Sequence, residues 1–349
     1  MSTLDFGKVP LGPDHAPVVV AEMSGNHNGD LGRALEIVDM VADSGAQALK
    51  LQTYTADTIT IDVDNEHFRV SGEHDLWGGR TLHDLYTEAH TPWDWHEPIF
   101  ERARDRGLVA FSAPFDPTAV DFLEDLDVPA YKVASAEIVD LPLVRRMAET
   151  GKPVVISTGM ASMEEIAAAV RAARETGNED LVVLGCTASY PAPPEESNLR
   201  TIPVLGEAFG THVGLSDHTA GIGVAVAAVA LGATLLEKHV TLARAEGGVD
   251  SAFSLEPDEL AALVRESAAA RAALGTGRVG PKEAEAEVLR FRRSLYVVAD
   301  VRAGDRVTAD NVRSIRPAGG LAPDLFDVVS GRTFTRDVAR GTPLGWDLV

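Results

Sequence analysis

HVGLSDHTAGIGVAVAAVALGATLLEKH, residues 212–239, decides the fold. It opens on a short apolar run, HVGLSD, crosses a Gly/Ala-rich stretch of helical length and closes on a second run, ATLLEKH. Each run is apolar at its start and polar at its end, so the segment reads as two parallel strands joined by a helix. Its apolar middle, GIGVAVAAVALGATLL (221–236), is shorter than the roughly 20 residues that a bilayer crossing needs. It is expected to be a packed helix running into a strand.

The same unit recurs upstream. PVVVAE ends at Glu22, AQALKLQ at Gln52, GLVAFS at Ser112, PAYKVAS at Ser135, PVVIST at Thr158 and LVVLGC at Cys186. With the two runs above they make eight, separated by Ala/Glu/Arg stretches of helical periodicity. Continuous apolar strands buried on both faces and alternating with helices predict an α/β fold, a closed (β/α)8 TIM barrel. Polar residues gather at the C-terminal ends of the runs, the rim on which barrel enzymes build their sites. The connection between Gln52 and Gly107 is unusually long and carries Asn65, His67, His74, Trp77, Trp93, Trp95 and His96. Such a loop is expected to be a lid or recognition element, with residues 92–106 forming a helix that has a proline near its start.

Composition changes near residue 290. From Arg290 to Val349 there are ten arginines and seven aspartates, with no lysine or glutamate, for a net of +3. The chain as a whole has 53 acidic against 31 basic residues, a net of −22. The expected division is therefore a catalytic barrel over 1–275, a Gly/Pro and charged linker over 276–289, and a small β-rich domain over 290–349. The acidic balance repels phosphate backbones and anionic headgroups, so neither nucleic acid nor membrane is an expected partner. One cysteine, Cys186, excludes an intramolecular disulfide. With no apolar signal segment at the N-terminus, a cytoplasmic location is expected.

Several side chains at the strand ends suit chemistry. His218 and His239 end adjacent strands and would face one pocket, a pattern that favours a divalent metal with open positions for water and substrate. Lys50 and Lys132 sit inside apolar strands, where an unpaired ammonium is costly, so each needs an anion. With Ser135, Ser157 and Ser216 they offer the convergent donors that a phosphorylated or multiply anionic substrate requires. The competing structural reading pairs one lysine with Glu22 or Glu137, and the competing chemical reading makes a lysine a Schiff-base nucleophile. At about 4 Å and an effective dielectric near 20, a close charge pair is worth about 4 kcal/mol before desolvation. Local lysines can therefore override a diffusely acidic surface. Glu22, Glu137 and Asp250 are candidates for proton transfer or for binding sugar hydroxyls.

Taken together, AEMSGNHNGDL, ALKLQTYTADT, YKVAS, ISTGM, CTASYPAPPEE, GLSDHT and EKH resemble the sialic acid synthase family, and RSLYV and SIRPAGG extend the resemblance through the tail. TYTADTITID, LWGGRTLHDLYTEAHTPWDWH and GGVDSAFSLEP are most similar to its pseudaminate branch. The resemblance implies a TIM barrel followed by an antifreeze-like (SAF) domain. It also implies condensation of phosphoenolpyruvate with an acetamido sugar aldehyde and water, the sugar being 2,4-diacetamido-2,4,6-trideoxy-L-altrose. The N-acetylneuraminate and legionaminate synthases are the alternative.

Carried over motif by motif, Lys50, Lys132, Ser135, Ser157 and Ser216 would hold phosphoenolpyruvate, with Ser112 among the substrate-binding residues. Gln52, Tyr190, Asp250 and Arg316 would contact the sugar. His218 and His239 would hold manganese, with magnesium or cobalt as alternatives, and Glu22 and Glu137 would lie near the reacting centre. Arg316 resembles the family arginine that reaches a second subunit, which implies a domain-swapped homodimer. Ala113 departs from the threonine that relatives can carry beside the phosphate, and Ala188 from the asparagine of the neuraminate-type enzymes.

Overall fold

A computed structural model describes residues 3–70 and 77–349. The chain divides into two compact units, Met1–Gly275 and Thr276–Val349. In the first, an N-terminal hairpin of β1 (Leu4–Phe6) and β2 (Val9–Leu11) precedes eight parallel strands. These are β3 (Val18–Glu22), β4 (Ala48–Thr53), β5 (Val109–Pro114), β6 (Tyr131–Val133), β7 (Val154–Ser157), β8 (Leu181–Cys186), β9 (His212–Ser216) and β10 (Leu235–His239). They pair in chain order, and β10 closes on β3 with Leu235 opposite Val18 and His239 opposite Glu22. All eight correspond to the runs read from the sequence.

Strand alternation sorts the barrel into two apolar layers. Inward-facing Val18, Val20, Ala48, Val109, Phe111, Ala130, Val155, Val182, Leu184 and Leu235 form one cluster, joined by Leu4, Phe6 and Leu11 of the hairpin. Phe6 meets Phe111 edge-on with ring centroids 5.2 Å apart. The hairpin, which was not expected from the sequence, thus plugs one end of the barrel. The other parity, Leu49, Leu51, Tyr131, Val133, Ile156 and Leu236 among others, packs against the surrounding helices. Gly214 of β9 lets β10 approach, because a Cβ there would lie 2.2 Å from the carbonyl oxygen of Leu235.

The 92–106 segment is a short 3-10 turn, Trp93–Trp95, followed by the helix His96–Asp105. His74 lies outside the described residues. Among the described residues no helix is long and apolar enough to cross a membrane. In the second unit, β11 (Ser294–Val297) pairs antiparallel with β12 (Val312–Ile315). Its own core includes Leu295, Val297, Val312, Phe334 and Leu344.

Candidate active site

Above the apolar plug, the next inward position is polar on every barrel strand but β5, where it is Ala113, and β10 supplies two such positions. Glu22, Lys50, Lys132, Ser157, Cys186, Ser216, Glu237 and His239 follow Val20, Ala48, Ala130, Val155, Leu184, Gly214, Leu235 and Glu237 by two residues. They make the floor of a cup at the C-terminal ends of the strands.

Lys50 forms an ion pair with Glu22, and its Nζ is 3.9 Å from Oε1 of Glu237. Lys132 Nζ is 3.7 Å from that same oxygen, and the Ser216 hydroxyl donates to it at 3.1 Å. The pairing of a lysine with Glu22 is therefore present, but it occurs inside the cup and leaves the lysines side by side. Burial disfavours the Lys50 ammonium, yet Glu22 and Glu237 outweigh it and lift its pKa. For Lys132 burial prevails over Glu237 and lowers the pKa. Burial likewise acts against the Glu237 carboxylate, but Lys132 and Lys50 hold it below the usual range. Glu22 is raised, chiefly by burial. The Ser157 hydroxyl is buried and has no hydrogen-bond partner among the described residues, which suits it to a bound anion.

Glu237 was not singled out from the sequence. The signal was present in LLEKH, because two residues before an inward histidine is another inward position.

The expectation for Ser112 is corrected by the same alternation. On β5 the inward positions are Phe111 and Ala113, so Ser112 faces the helices. Its hydroxyl is 2.6 Å from that of Thr53, which in turn bonds His96 Nε2 at 2.8 Å. Ser112 belongs to the packing between strand and helix, away from the cup.

The rim carries the remaining groups. Ser135 donates to Cys186 Sγ at 3.5 Å. Gly159, at φ +30°, lets the ISTGM turn lie against it, since a Cβ would fall 2.5 Å from the Ser135 Cβ. Gln52 Nε2 donates to Glu22 Oε1 at 2.9 Å and to Ser24 Oγ at 3.2 Å, and Ser24 donates to Asp250. Asp250 and Glu137 are both pushed up by burial, and Glu137 Oε2 is buried without a hydrogen-bond partner among the described residues. Tyr190 stacks obliquely on His218, centroids 4.3 Å apart, and burial raises its phenol. Arg316 is in the second unit, just after β12, and is exposed there.

His218 and His239 do come together, with ring centroids 5.3 Å apart. His218 Nδ1 lies 3.0 Å from the carbonyl oxygen of Thr187. A carbonyl only accepts, so Nδ1 carries a proton and Nε2 is left to ligate. His239 Nδ1 is buried with no hydrogen-bond partner among the described residues, 3.7 Å from Asp250 Oδ2. Burial and then the charges of His218 and Lys50 hold His239 well below the ordinary histidine pKa, which keeps it a neutral donor. Among the described residues no three His, Cys, Asp or Glu side chains form a cation cage. The residues fit a metal held by two imidazoles, with open positions for water and substrate.

These features have counterparts in known proteins. Residues 37–279 match the NeuB family and residues 292–349 the SAF domain. The chain is 41% identical over 331 residues to the pseudaminic acid synthase of Campylobacter jejuni, covering 95% of this chain and 96% of the relative. It is 39% identical to that of Helicobacter pylori, covering 95% and 97%. Among solved structures, the N-acetylneuraminic acid synthetase of Leptospira borgpetersenii superposes with a TM-score of 0.73 at 32% identity, covering 83% of this chain and 96% of that one.

Proposed function

The chain belongs to the NeuB family, and from that premise we propose that it acts as a pseudaminic acid synthase. It condenses phosphoenolpyruvate, 2,4-diacetamido-2,4,6-trideoxy-L-altrose and water to pseudaminate and phosphate. The observation that carries this reading is the cup itself, in which two buried ammonium groups and the Ser157 hydroxyl share a floor with paired histidines. A Schiff-base aldolase would use one lysine as its nucleophile, whereas the two lysines and the Ser157 hydroxyl on one floor suit the convergent donors of a multiply anionic substrate.

Lys50, Lys132, Ser135, Ser157 and Ser216 bind and orient phosphoenolpyruvate, and Gln52, Tyr190 and Asp250 hold the sugar. A divalent cation on His218 and His239, manganese or else magnesium or cobalt, would polarise the sugar aldehyde as a Lewis acid. C3 of phosphoenolpyruvate bonds to the aldehyde carbon, and Glu137 hands a proton to the aldehyde oxygen as it becomes a hydroxyl. Burial keeps the Glu137 carboxyl protonated to higher pH than an ordinary glutamate, as this role needs. Glu22, fixed between Lys50 and Gln52, steers water onto the cationic C2. The resulting tetrahedral centre expels phosphate with cleavage of the C–O bond. Arg316 would complete the sugar site of a partner subunit in a domain-swapped homodimer, and the enzyme would work in the cytoplasm.

The test is phosphate release from phosphoenolpyruvate with the trideoxy sugar, beside N-acetylmannosamine. Rapid release only with the former, abolished by exhaustive chelation and restored by manganese, is expected. Full turnover in chelator would exclude the metal's role, and release with N-acetylmannosamine alone would replace the substrate.

A further inference from the structure

The cup opens into a cavity of about 460 Å³ whose lining is mixed. Ser24, Gln52, Glu137, His239 and Asp250 line it, and so do side chains of the long connection between β4 and β5. The helix Leu82–Ala89 turns Leu82, Leu85, Tyr86 and Ala89 to the cavity, positions i, i+3, i+4 and i+7 of one helical face. An apolar stripe of this kind ordinarily packs on a core, and here it lines a ligand space.

The wall is fixed in place. Thr81 caps the helix by accepting from the Asp84 amide at 3.1 Å. The Val70 amide donates to the Arg80 carbonyl at 2.9 Å, and Gly79 donates back to Val70 at 3.1 Å. Trp77 Nε1 donates to the Val249 carbonyl at 3.0 Å, and its ring lies 5.9 Å from that of Tyr190.

Resting on the substrate reading above, we infer that Val70, Trp77, Leu82 and Leu85 form a subsite for the terminal methyl of a 6-deoxy sugar and select it against the 6-hydroxy counterpart. Val70, Leu82 and Leu85 have no side-chain polar atom, and the one donor of Trp77 is used by Val249. A hydroxyl placed against these four side chains would give up water and find no partner among them. An apolar site rejects a hydroxyl-bearing isostere by about 100-fold at most, which sets the size of the effect.

The experiment compares kcat/KM for 2,4-diacetamido-2,4,6-trideoxy-L-altrose and its 6-hydroxy analogue in the full-length protein, in Val70→Thr and in Leu82→Asn. The KM for phosphoenolpyruvate is measured alongside. The wild-type protein is expected to favour the deoxy sugar by roughly 10–100-fold. Each variant, by offering a hydrogen-bond partner, should shrink that ratio at least about threefold without changing the KM for phosphoenolpyruvate. A wild-type ratio near one, or an unchanged ratio in both active variants, overturns the subsite while leaving the synthase reading intact. Turnover of N-acetylmannosamine with none of the trideoxy sugar defeats the substrate reading and the subsite together.

Discussion

Glu237 serves two ammonium groups with one carboxylate, and that arrangement tells how the floor is kept until an anion arrives. Removing one member of a buried ion network ordinarily costs about 3–5 kcal/mol, because the charges left behind are uncompensated. Glu237→Gln should therefore lower the melting temperature, and phosphoenolpyruvate, by supplying negative charge beside Lys50 and Lys132, should raise it by more in the variant than in the wild-type protein. Equal ligand-induced shifts in differential scanning calorimetry would show that the substrate anion and Glu237 do not answer the same charges. Lys132→Met tests the other side of the contact, with an expected rise of about 100-fold in the KM for phosphoenolpyruvate.

Two serines separate the two faces of the strands. Ser157 is inward on β7 and Ser112 outward on β5, so Ser157→Ala should raise the KM for phosphoenolpyruvate about tenfold or more. Ser112→Ala should leave it within about twofold while costing roughly 1–2 kcal/mol of stability through Thr53 and His96. The eight barrel strands were legible because buried parallel strands are continuous apolar runs. Which strand-end residues enter the cup was legible only through the two-residue period, and reading the ends without it placed Ser112 wrongly and passed over Glu237. The β1–β2 hairpin was hidden because its strands have three residues each, too few for a periodic pattern.

Two histidines outside the cup make the fold sensitive to acid. Burial holds His27 and His96 down to about 4, against an ordinary 6.5. Above pH 6.5 both states are neutral there; below it the unfolded chain takes up protons that the folded one refuses, so stability falls towards pH 4. The loss should be roughly 2 kcal/mol apiece by pH 5. Urea unfolding at pH 7 and pH 5 measures it, and His96→Gln should flatten the dependence; an unchanged slope would remove His96 from the account.

The whole chain couples an acidic barrel unit to a small arginine-bearing unit, and the proposed role of Arg316 makes a quantitative demand on their assembly. If Arg316 serves a partner's cup, mixing Arg316→Ala with Lys132→Met after unfolding and refolding together should restore roughly a quarter of wild-type activity, since half the dimers are mixed and each carries one intact site. Service within its own chain predicts no restoration. The sequence made the second unit legible through its change in charge and its match to a family tail. Which subunit Arg316 serves is set by assembly, which one chain's residue pattern does not encode.

The most direct measurement supplies phosphoenolpyruvate labelled with oxygen-18 at the bridging position, together with the trideoxy sugar and manganese, and weighs both products. Carbon–carbon joining followed by C–O cleavage predicts an unlabelled sugar acid of pseudaminate mass and the heavy oxygen in the released phosphate. A labelled sugar acid, or no sugar acid at all, would contradict it.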